Sequence, residues 1–213
     1  FRLPLGIALR IAGNKDEAIH ELGLVVAAYP ENLKALSQLA ATYQDKGQYK
    51  EAVKEYRKIL VHQPQNFSIQ FNTGACLLAL KDYEPSIEAL TKAVQLDGSV
   101  PEAHALLGAA QSGRGNYSEA AKELRAAIAL KSDRAEWFSQ LGEALNKQKD
   151  TKGAIEAYRQ AQILDPKDVN SGYTLGYLLQ NNGDLDEAAS SFEHVVSLSP
   201  NFANAHYNLG IIK

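Results

Sequence analysis

The sequence predicts an all-α fold, an α-solenoid in which antiparallel helix pairs stack on one another. Three observations predict it. Turn-compatible residues recur every 34 residues, small and bulky side chains recur in phase with them, and the segments between them have helical periodicity. A repeat of this length is typical of solenoids, because one helix pair buries too little apolar surface to fold by itself and stacked neighbours supply the rest of its core.

The turn positions define the repeat. Six residues that tolerate or impose a turn lie on one lattice without an insertion: Pro30, Pro64, Gly98, Ser132, Pro166 and Pro200. Proline cannot continue a helix interior, so each of these positions is expected to end a helix or to lie in a link between helices.

Small and bulky residues recur in the same phase. One lattice holds Gly6, Ala40, Gly74, Gly108, Gly142, Gly176 and Gly210. A second holds Ala18, Ala52, Ser86, Ala120, Ala154 and Ala188, and a third holds Leu22, Tyr56, Leu90, Leu124, Tyr158 and Phe192. Glycine within a helix costs about 1 kcal/mol relative to alanine. Its recurrence therefore predicts that a facing helix packs closely at these positions.

Each repeat is predicted to contain two helices joined by a tight turn. In residues 169–181 the apolar side chains follow i, i+3, i+4 spacing, residues 182–184 read Asn-Gly-Asp, and a second amphipathic segment follows. The predicted repeats are 1–32 (partial), 33–66, 67–100, 101–134, 135–168, 169–202 and the start of a seventh at 203–213. Because both ends fall inside predicted helices, we expect a fragment of a longer protein whose open apolar ends could self-associate.

This pattern resembles the tetratricopeptide repeat (TPR) family, whose repeat has a bulky residue and Leu-Gly in the first helix, small and aromatic residues in the second, and a closing proline. The matching residues in one repeat are Phe138, Leu141, Gly142, Leu145, Ala154, Tyr158, Ala161 and Pro166. The resemblance covers the whole chain and implies a right-handed superhelix whose first helices line a concave, protein-binding surface. It does not identify the partner, because fold does not fix function.

Two specialised TPR sites are not expected. The carboxylate clamp of some family members needs two Lys, an Arg and two Asn at fixed groove positions. This chain has small or apolar residues there, for example Phe71 and Ala75. The nucleocytoplasmic glycosyltransferase arm carries a ladder of groove asparagines. Only Asn72 and Asn208 occupy that position here.

The predicted partner-binding groove consists of amide, aromatic and acidic side chains on the first helices. Its residues are Gln38, Phe71, Asn72, Gln140, Glu143, Asn170, Tyr173, Tyr177, Asn181, Asn204 and Tyr207. Tyrosine offers a large contact area at low entropic cost together with a hydroxyl group. The hypothesis is that a partner segment lies on Tyr173 and Tyr177, with any basic end toward the acidic repeat 169–202. The same spacing also fits packing of the tyrosines against the next repeat, so the sequence leaves both possibilities open.

The charge distribution along the repeats is uneven. Repeat 33–66 has six basic and three acidic residues, whereas repeat 169–202 has four acidic residues and no Lys or Arg. Such charges are more often a solvated face than a device that steers a partner.

The sequence does not indicate an enzyme, a metal site or a cofactor. Its five histidines form no metal-binding motif, and His104 and His206 fall at one repeat position, which indicates packing or surface roles. Cys76 occupies a position that holds alanine in other repeats, so it is interpreted as a small buried residue.

The remaining expectations concern partners and context. With a formal charge of -3 and no run of eighteen apolar residues, neither nucleic-acid binding nor membrane insertion is expected. The predicted function is a protein-interaction scaffold that binds an extended or helical partner segment. The alternative is the substrate-recruiting arm of a larger enzyme, for example a glycosyltransferase-like protein, whose catalytic domain lies outside this chain. The sequence does not settle the compartment and gives only a slight preference for the cytoplasm.

Overall fold

The computed structural model describes residues 1–212, in which the regular secondary structure is helical. Contacts divide the chain into two compact units, Phe1–Arg114 (unit 1) and Gly115–Lys213 (unit 2). Unit 1 contains α1 (Arg2–Ile11), α2 (Lys15–Ala28), α3 (Leu33–Asp45), α4 (Tyr49–His62), α5 (Phe67–Ala79), α6 (Tyr83–Leu96) and α7 (Pro101–Arg114). Unit 2 contains α8 (Tyr117–Leu130), α9 (Ala135–Lys147), α10 (Thr151–Leu164), α11 (Val169–Asn182), α12 (Leu185–Leu198) and α13 (Ala203–Ile212).

Within each unit the helices form consecutive packed pairs, and each helix contacts mainly the next one along the chain. The predicted fold class, an all-α solenoid of stacked helix pairs, is confirmed. From α3 onward the first helices of the pairs begin at residues 33, 67, 101, 135, 169 and 203, which are 34 residues apart. Several of these starts are fixed by side-chain caps. Asn32 accepts a hydrogen bond from the backbone N–H of Ala35 at 3.0 Å, and Asn66 accepts one from Ile69 at 3.2 Å.

The turns inside the pairs reverse the chain through one residue in the left-handed conformation. Four of these residues are glycines with φ between 77° and 92°: Gly13, Gly47, Gly115 and Gly183. The other two are Lys81 and Lys149, with φ of 60° and 65°. These lysines hold a conformation that costs side-chain-bearing residues energy, and the 34-residue pattern imposes it on them.

The recurring helix glycines allow the close packing that the sequence predicts. A Cβ built on Gly74 would lie 2.4 Å from Cγ of Leu90, and one on Gly142 or Gly176 would lie within 2.8 Å of the ring of Tyr158 or Phe192. In each pair the bulky residue follows its glycine by sixteen positions, so the two lattices found in the sequence are the two sides of one contact.

The core is built from the same lattice positions in both units. In unit 1, Leu36, Tyr56 and Ile59 are buried with Cys76 and Leu77 in one cluster. A second cluster in this unit surrounds Leu90, Leu107 and Ala110. In unit 2 the bulky lattice residues Leu124, Tyr158 and Phe192 are buried as well, and Phe192 and Leu124 are fully inaccessible.

The links between pairs are tied down by side chains that hydrogen-bond to a loop carbonyl. Three equivalent residues donate to the carbonyl six positions earlier: Gln70 to Pro64, His104 to Gly98 and His206 to Pro200, at 2.9, 3.2 and 2.8 Å. The equivalent position in the repeat that begins at 169 is Gly172, which has no side chain. There, His194 of α12 hydrogen-bonds to the Pro166 carbonyl at 2.7 Å instead.

Candidate functional site

An open groove in unit 2 runs between α9 and α11, the first helices of two consecutive pairs. Its cavity volume is about 330 Å³. We call it the acidic groove, and its lining residues are Ala135, Glu136, Ser139, Gln140, Glu143, Tyr158, Asp165, Asp168, Asn170, Ser171 and Thr174. The α9 residues at 136, 140 and 143 and the α11 residues at 170 and 174 are three or four positions apart, so each helix presents one face to the groove.

Hydrogen bonds between these side chains hold the walls of the acidic groove in place. Ser139 of α9 and Ser171 of α11 are joined hydroxyl to hydroxyl at 2.7 Å. Asp168 caps α11 by accepting from the backbone N–H groups of Asn170 and Ser171, and it also accepts from the Ser171 hydroxyl at 2.5 Å. A chain of polar contacts therefore fixes the spacing of the two helices at the start of α11.

Tyr158 brings a hydroxyl group from α10 into the lining of the acidic groove. Its ring fills the space left by Gly142, and the side chain is only 7% exposed. Burial, together with the smaller effect of the negative charges of Glu143 and Asp168, raises the pKa of Tyr158 to about 12. The hydroxyl thus stays protonated at neutral pH and can donate a hydrogen bond.

Every charged side chain that lines the acidic groove within the described residues is a carboxylate: Glu136, Glu143, Asp165 and Asp168. Asp165 and Asp168 accept hydrogen bonds from backbone N–H groups. Glu136 accepts a hydrogen bond from the side-chain amide of Gln140 at 3.1 Å. Glu143 is exposed to solvent. The groove therefore offers a negative field together with neutral amide and hydroxyl groups, which suits a basic ligand.

The acidic residues of repeat 169–202 do not line this groove, although the sequence predicts that a basic partner end would lie toward them. Asp184, Asp186 and Glu187 lie in the turn before α12 and in its first turn. Glu187 is paired with Arg159 of α10 through two hydrogen bonds of 2.7 and 2.8 Å. A charge count by repeat could not reveal this, because it does not say which face of the helix pair carries the charges.

The predicted site residues of unit 2 fall into two groups. Gln140, Glu143 and Asn170 are brought together in the acidic groove. Tyr173 lies elsewhere and is partly buried. Its ring packs 5.7 Å from that of Phe192 and 5.1 Å from that of Phe202, and its hydroxyl accepts a hydrogen bond from Asn208 at 3.3 Å. The hydrogen bond from Asn208 is the contact with the next repeat that the sequence left open as its second possibility, whereas both ring contacts lie within repeat 169–202.

The other predicted residues of unit 2 are more accessible. Tyr177 is 49% exposed and Tyr207 is 70% exposed. Asn181 and Asn204 are also exposed. Tyr177 occupies the same repeat position as Glu143, one pair further along, so it continues the same helix face toward the end of α11.

Of the predicted site residues of unit 1, Phe71 and Asn72 contact other side chains of the unit, whereas the Oε1 atom of Gln38 is buried without a hydrogen-bond partner. Phe71 stacks on Phe67 with 5.8 Å between ring centroids and packs against the second core cluster. Asn72 lies beside the Tyr56 hydroxyl, which donates a hydrogen bond to Gln44 at 2.9 Å. Gln38 is half-buried.

Sequence reasoning missed Tyr158, Asp165 and Asp168 as lining residues. Tyr158 belongs to the bulky core lattice. The signal that could have revealed it is its hydroxyl, because the hydroxyl of a buried tyrosine usually has a hydrogen-bond partner or reaches solvent. Asp165 and Asp168 lie in the link between α10 and α11. Their signal is the helix start itself, where an aspartate is a preferred cap.

The structure also shows the surroundings of Cys76. Cys76 is 1% exposed, and burial raises the pKa of its thiol to about 11, as the prediction of a buried small residue requires. Across residues 1–212, no three His, Cys, Asp or Glu side chains lie together in a group that could hold a metal ion. In the same residues, no helix is both long and apolar enough to span a membrane.

The helix pairs, the glycine contacts and the lining of first-helix residues define a tetratricopeptide repeat protein, as the sequence predicts. Within that class, the chain belongs to the family of the Cilia and flagella-associated protein 70 C-terminal domain, whose model matches residues 2–207. A comparison with curated proteins found no match.

Solved structures with the same fold include other TPR proteins. A crystal structure of MamA is 26% identical, with a TM-score of 0.73 over 78% of this chain and 97% of that one. YrrB, described as a TPR protein with an unusual peptide-binding site, is 15% identical, with a TM-score of 0.76 over 87% of this chain and 96% of that one. PilF of Pseudomonas aeruginosa is 22% identical, with a TM-score of 0.75 over 99% and 96% of the two chains. The last two show a shared fold alone.

Proposed function

We propose that the chain is a protein-interaction scaffold, not an enzyme, and that its acidic groove binds a basic segment of a partner protein. The observation that carries this proposal is the lining of the groove, in which all charged side chains among the described residues are carboxylates. The groove is open to solvent and lies between two first helices, the surface that solenoids of this kind use for partners.

The groove chemistry suits a peptide with Lys or Arg side chains. Glu143, exposed at the wall, and Glu136 can each pair with a cation, while Gln140, Asn170 and the Tyr158 hydroxyl supply neutral hydrogen-bonding groups. Tyr177 extends this helix face with a half-exposed ring that can cover an apolar or cationic side chain. The peptide-binding site of YrrB supports the proposal to the extent that a protein of this fold can hold a peptide.

The test selects twelve-residue peptides from a random library on the intact chain and measures their affinities by fluorescence anisotropy. We expect enrichment of Lys and Arg. The variant Glu143→Lys should weaken the selected peptides by at least about fivefold, because an attraction is replaced by a repulsion. Glu119→Lys is the matched control. It makes the same charge change at an exposed residue of α8 that does not line the groove.

The tyrosines need separate treatment in this test. Tyr177→Ala should also weaken the peptides while leaving the unfolding transition in place. Tyr173→Ala would remove ring contacts with Phe192 and Phe202, so any loss of binding in that variant would report on packing. Equal affinities for the intact chain and Glu143→Lys, or equal losses in Glu143→Lys and Glu119→Lys, would contradict the proposed function.

A further inference from the structure

The exposed face of α4 in unit 1 carries a continuous row of cations. Lys50, Lys54, Arg57 and Lys58 are all exposed and lie at i, i+4, i+7 and i+8, which places them on one side of the helix. Val61 follows on the same side and is 79% exposed. We call these five residues the α4 basic face.

This face is unlike the same positions in the other second helices of residues 1–212. The positions of α6 equivalent to Lys50 and Lys54 hold Glu84 and Glu88. Of the four equivalent positions of α8, only two are basic, Lys122 and Arg125. The accumulation of four cations is therefore a property of α4, not of the repeat.

Part of this positive charge is not neutralised by neighbouring side chains. Lys58 pairs with Glu55 at 2.6 Å, and Glu88 of α6 pairs with Lys92 at 2.7 Å and feels a weaker attraction from Arg57. Among the described residues, Lys50 and Lys54 form no ion pair within 4.0 Å. Lys81, in the turn before α6, adds a further cation at one end of the face.

Apolar side chains lie between these cations. One shallow hollow is bordered by the cations of the α4 basic face and contains Val53 and Val61. An adjoining hollow between α4 and the end of α5 contains Val53, Leu77 and Leu80. Three cations, Lys50, Arg57 and Lys81, and one carboxylate, Asp82, lie at its border. Both hollows share Lys50, Val53 and Arg57, so they form one surface.

We propose that the α4 basic face binds an acidic segment of a partner protein, whose carboxylates pair with the cations while its apolar side chains enter the two hollows. The apolar residues favour a peptide over the alternatives. A nucleic-acid backbone would meet the cations but leave the apolar hollows unused, and so would the charged headgroups of a bilayer. The site lies in unit 1 and has the opposite charge preference to the acidic groove, so it goes beyond the proposed function and does not depend on it.

The probe for the test is a fluorescein-labelled peptide of four Glu-Glu-Leu repeats, titrated with the intact chain in anisotropy measurements at low salt. The test variant is Lys54→Glu/Arg57→Glu. The matched control is Lys122→Glu/Arg125→Glu, which makes the same charge change at the equivalent exposed positions of α8. We expect the test variant to lose at least about tenfold in affinity and the control to stay within about twofold. Circular dichroism and thermal unfolding of both variants confirm that they remain folded, and Lys50→Gln/Lys54→Gln is the milder second variant.

Two further arms distinguish the occupants. A peptide in which serine replaces leucine should bind several-fold more weakly than the probe, since it cannot use the hollows. Equal binding of the two peptides, or equal losses in the test and control variants, would overturn the proposal. It would also be overturned if single-stranded RNA or phosphatidylserine vesicles bound more tightly than the peptide and lost that binding in Lys54→Glu/Arg57→Glu.

Discussion

Lys81 and Lys149 show how the repeat constrains a single residue. Both hold positive φ at the turn position that is glycine in the other four described turns. The backbone at this position is set by the antiparallel packing of two helices, so the side chain must accept it. The structure therefore stores a small amount of strain at two solvent-facing sites.

Replacing each of these lysines with glycine should stabilise the chain. Relief of the left-handed strain exceeds the added entropy of the unfolded glycine, and we expect a net gain of roughly 0.5 kcal/mol per site. Urea unfolding of Lys81→Gly, Lys149→Gly and the double variant measures it. Gly47→Ala is the reverse control and should destabilise, and loss of stability in the lysine variants would contradict this account.

The acidic groove also shows which residues could be predicted at this scale. Gln140, Glu143 and Asn170 were found because helical periodicity alone places them on the inner face of their helices. Tyr173 was placed in the same set, but the ring of Phe202 packs against its ring. Helical periodicity does not contain that contact, because Phe202 lies in the link after α12. The sequence places Tyr158 in the core, and its ring is buried there. The side chain also lines the groove, and this second role depends on how closely the ring packs against Gly142, which the sequence pattern does not give.

At the scale of the helix, the glycine lattice is the feature that the sequence predicted best. Close approach of two helices recurs at Gly6, Gly74, Gly142 and Gly176, so its signature recurs as well and stands out from single-site variation. The charge of a repeat was a poorer guide, because the acids of repeat 169–202 lie on and before α12 and not on the groove side of α11.

Two alanine substitutions separate the packing role of glycine from its low helix propensity. In Gly74→Ala the new Cβ would lie 2.4 Å from Leu90, so we expect a loss of about 1 to 2 kcal/mol despite the better propensity of alanine. In Gly23→Ala the Cβ meets nothing within 4 Å, and we expect a gain of about 1 kcal/mol. Chemical denaturation of both variants is the measurement, and a neutral or stabilising Gly74→Ala would show that the helices can move apart at little cost.

At the scale of the whole molecule, contacts between elements are local in sequence. Helices contact their immediate neighbours and, in a few cases, the next helix but one. The stability of such an array is close to a sum over pairs and their interfaces, so a defect is expected to act near its own position.

Phe192→Ala tests this locality. Phe192 is fully buried, fills the space at Gly176 and contacts the Tyr173 ring, so its truncation should cost about 3 to 5 kcal/mol within unit 2. Hydrogen exchange followed by mass spectrometry should show faster exchange in α11–α13 and unchanged exchange in residues 1–114. Uniformly faster exchange along the chain would mean that the array unfolds as one cooperative body.

The bond from His194 to the Pro166 carbonyl has a consequence for how such arrays change over time. In three repeats the donor to the link carbonyl stands at the same repeat position. In a fourth repeat that position is Gly172, which has no side chain, and His194 of α12 donates instead. A replacement made at position 172 to match its sister repeats would set two donors competing for a single acceptor. Equivalent positions of two repeats can therefore differ in sequence while the hydrogen bond to the link carbonyl is kept. If the sequence of a sister repeat replaced residue 172, His194 would first have to lose its hydrogen bond.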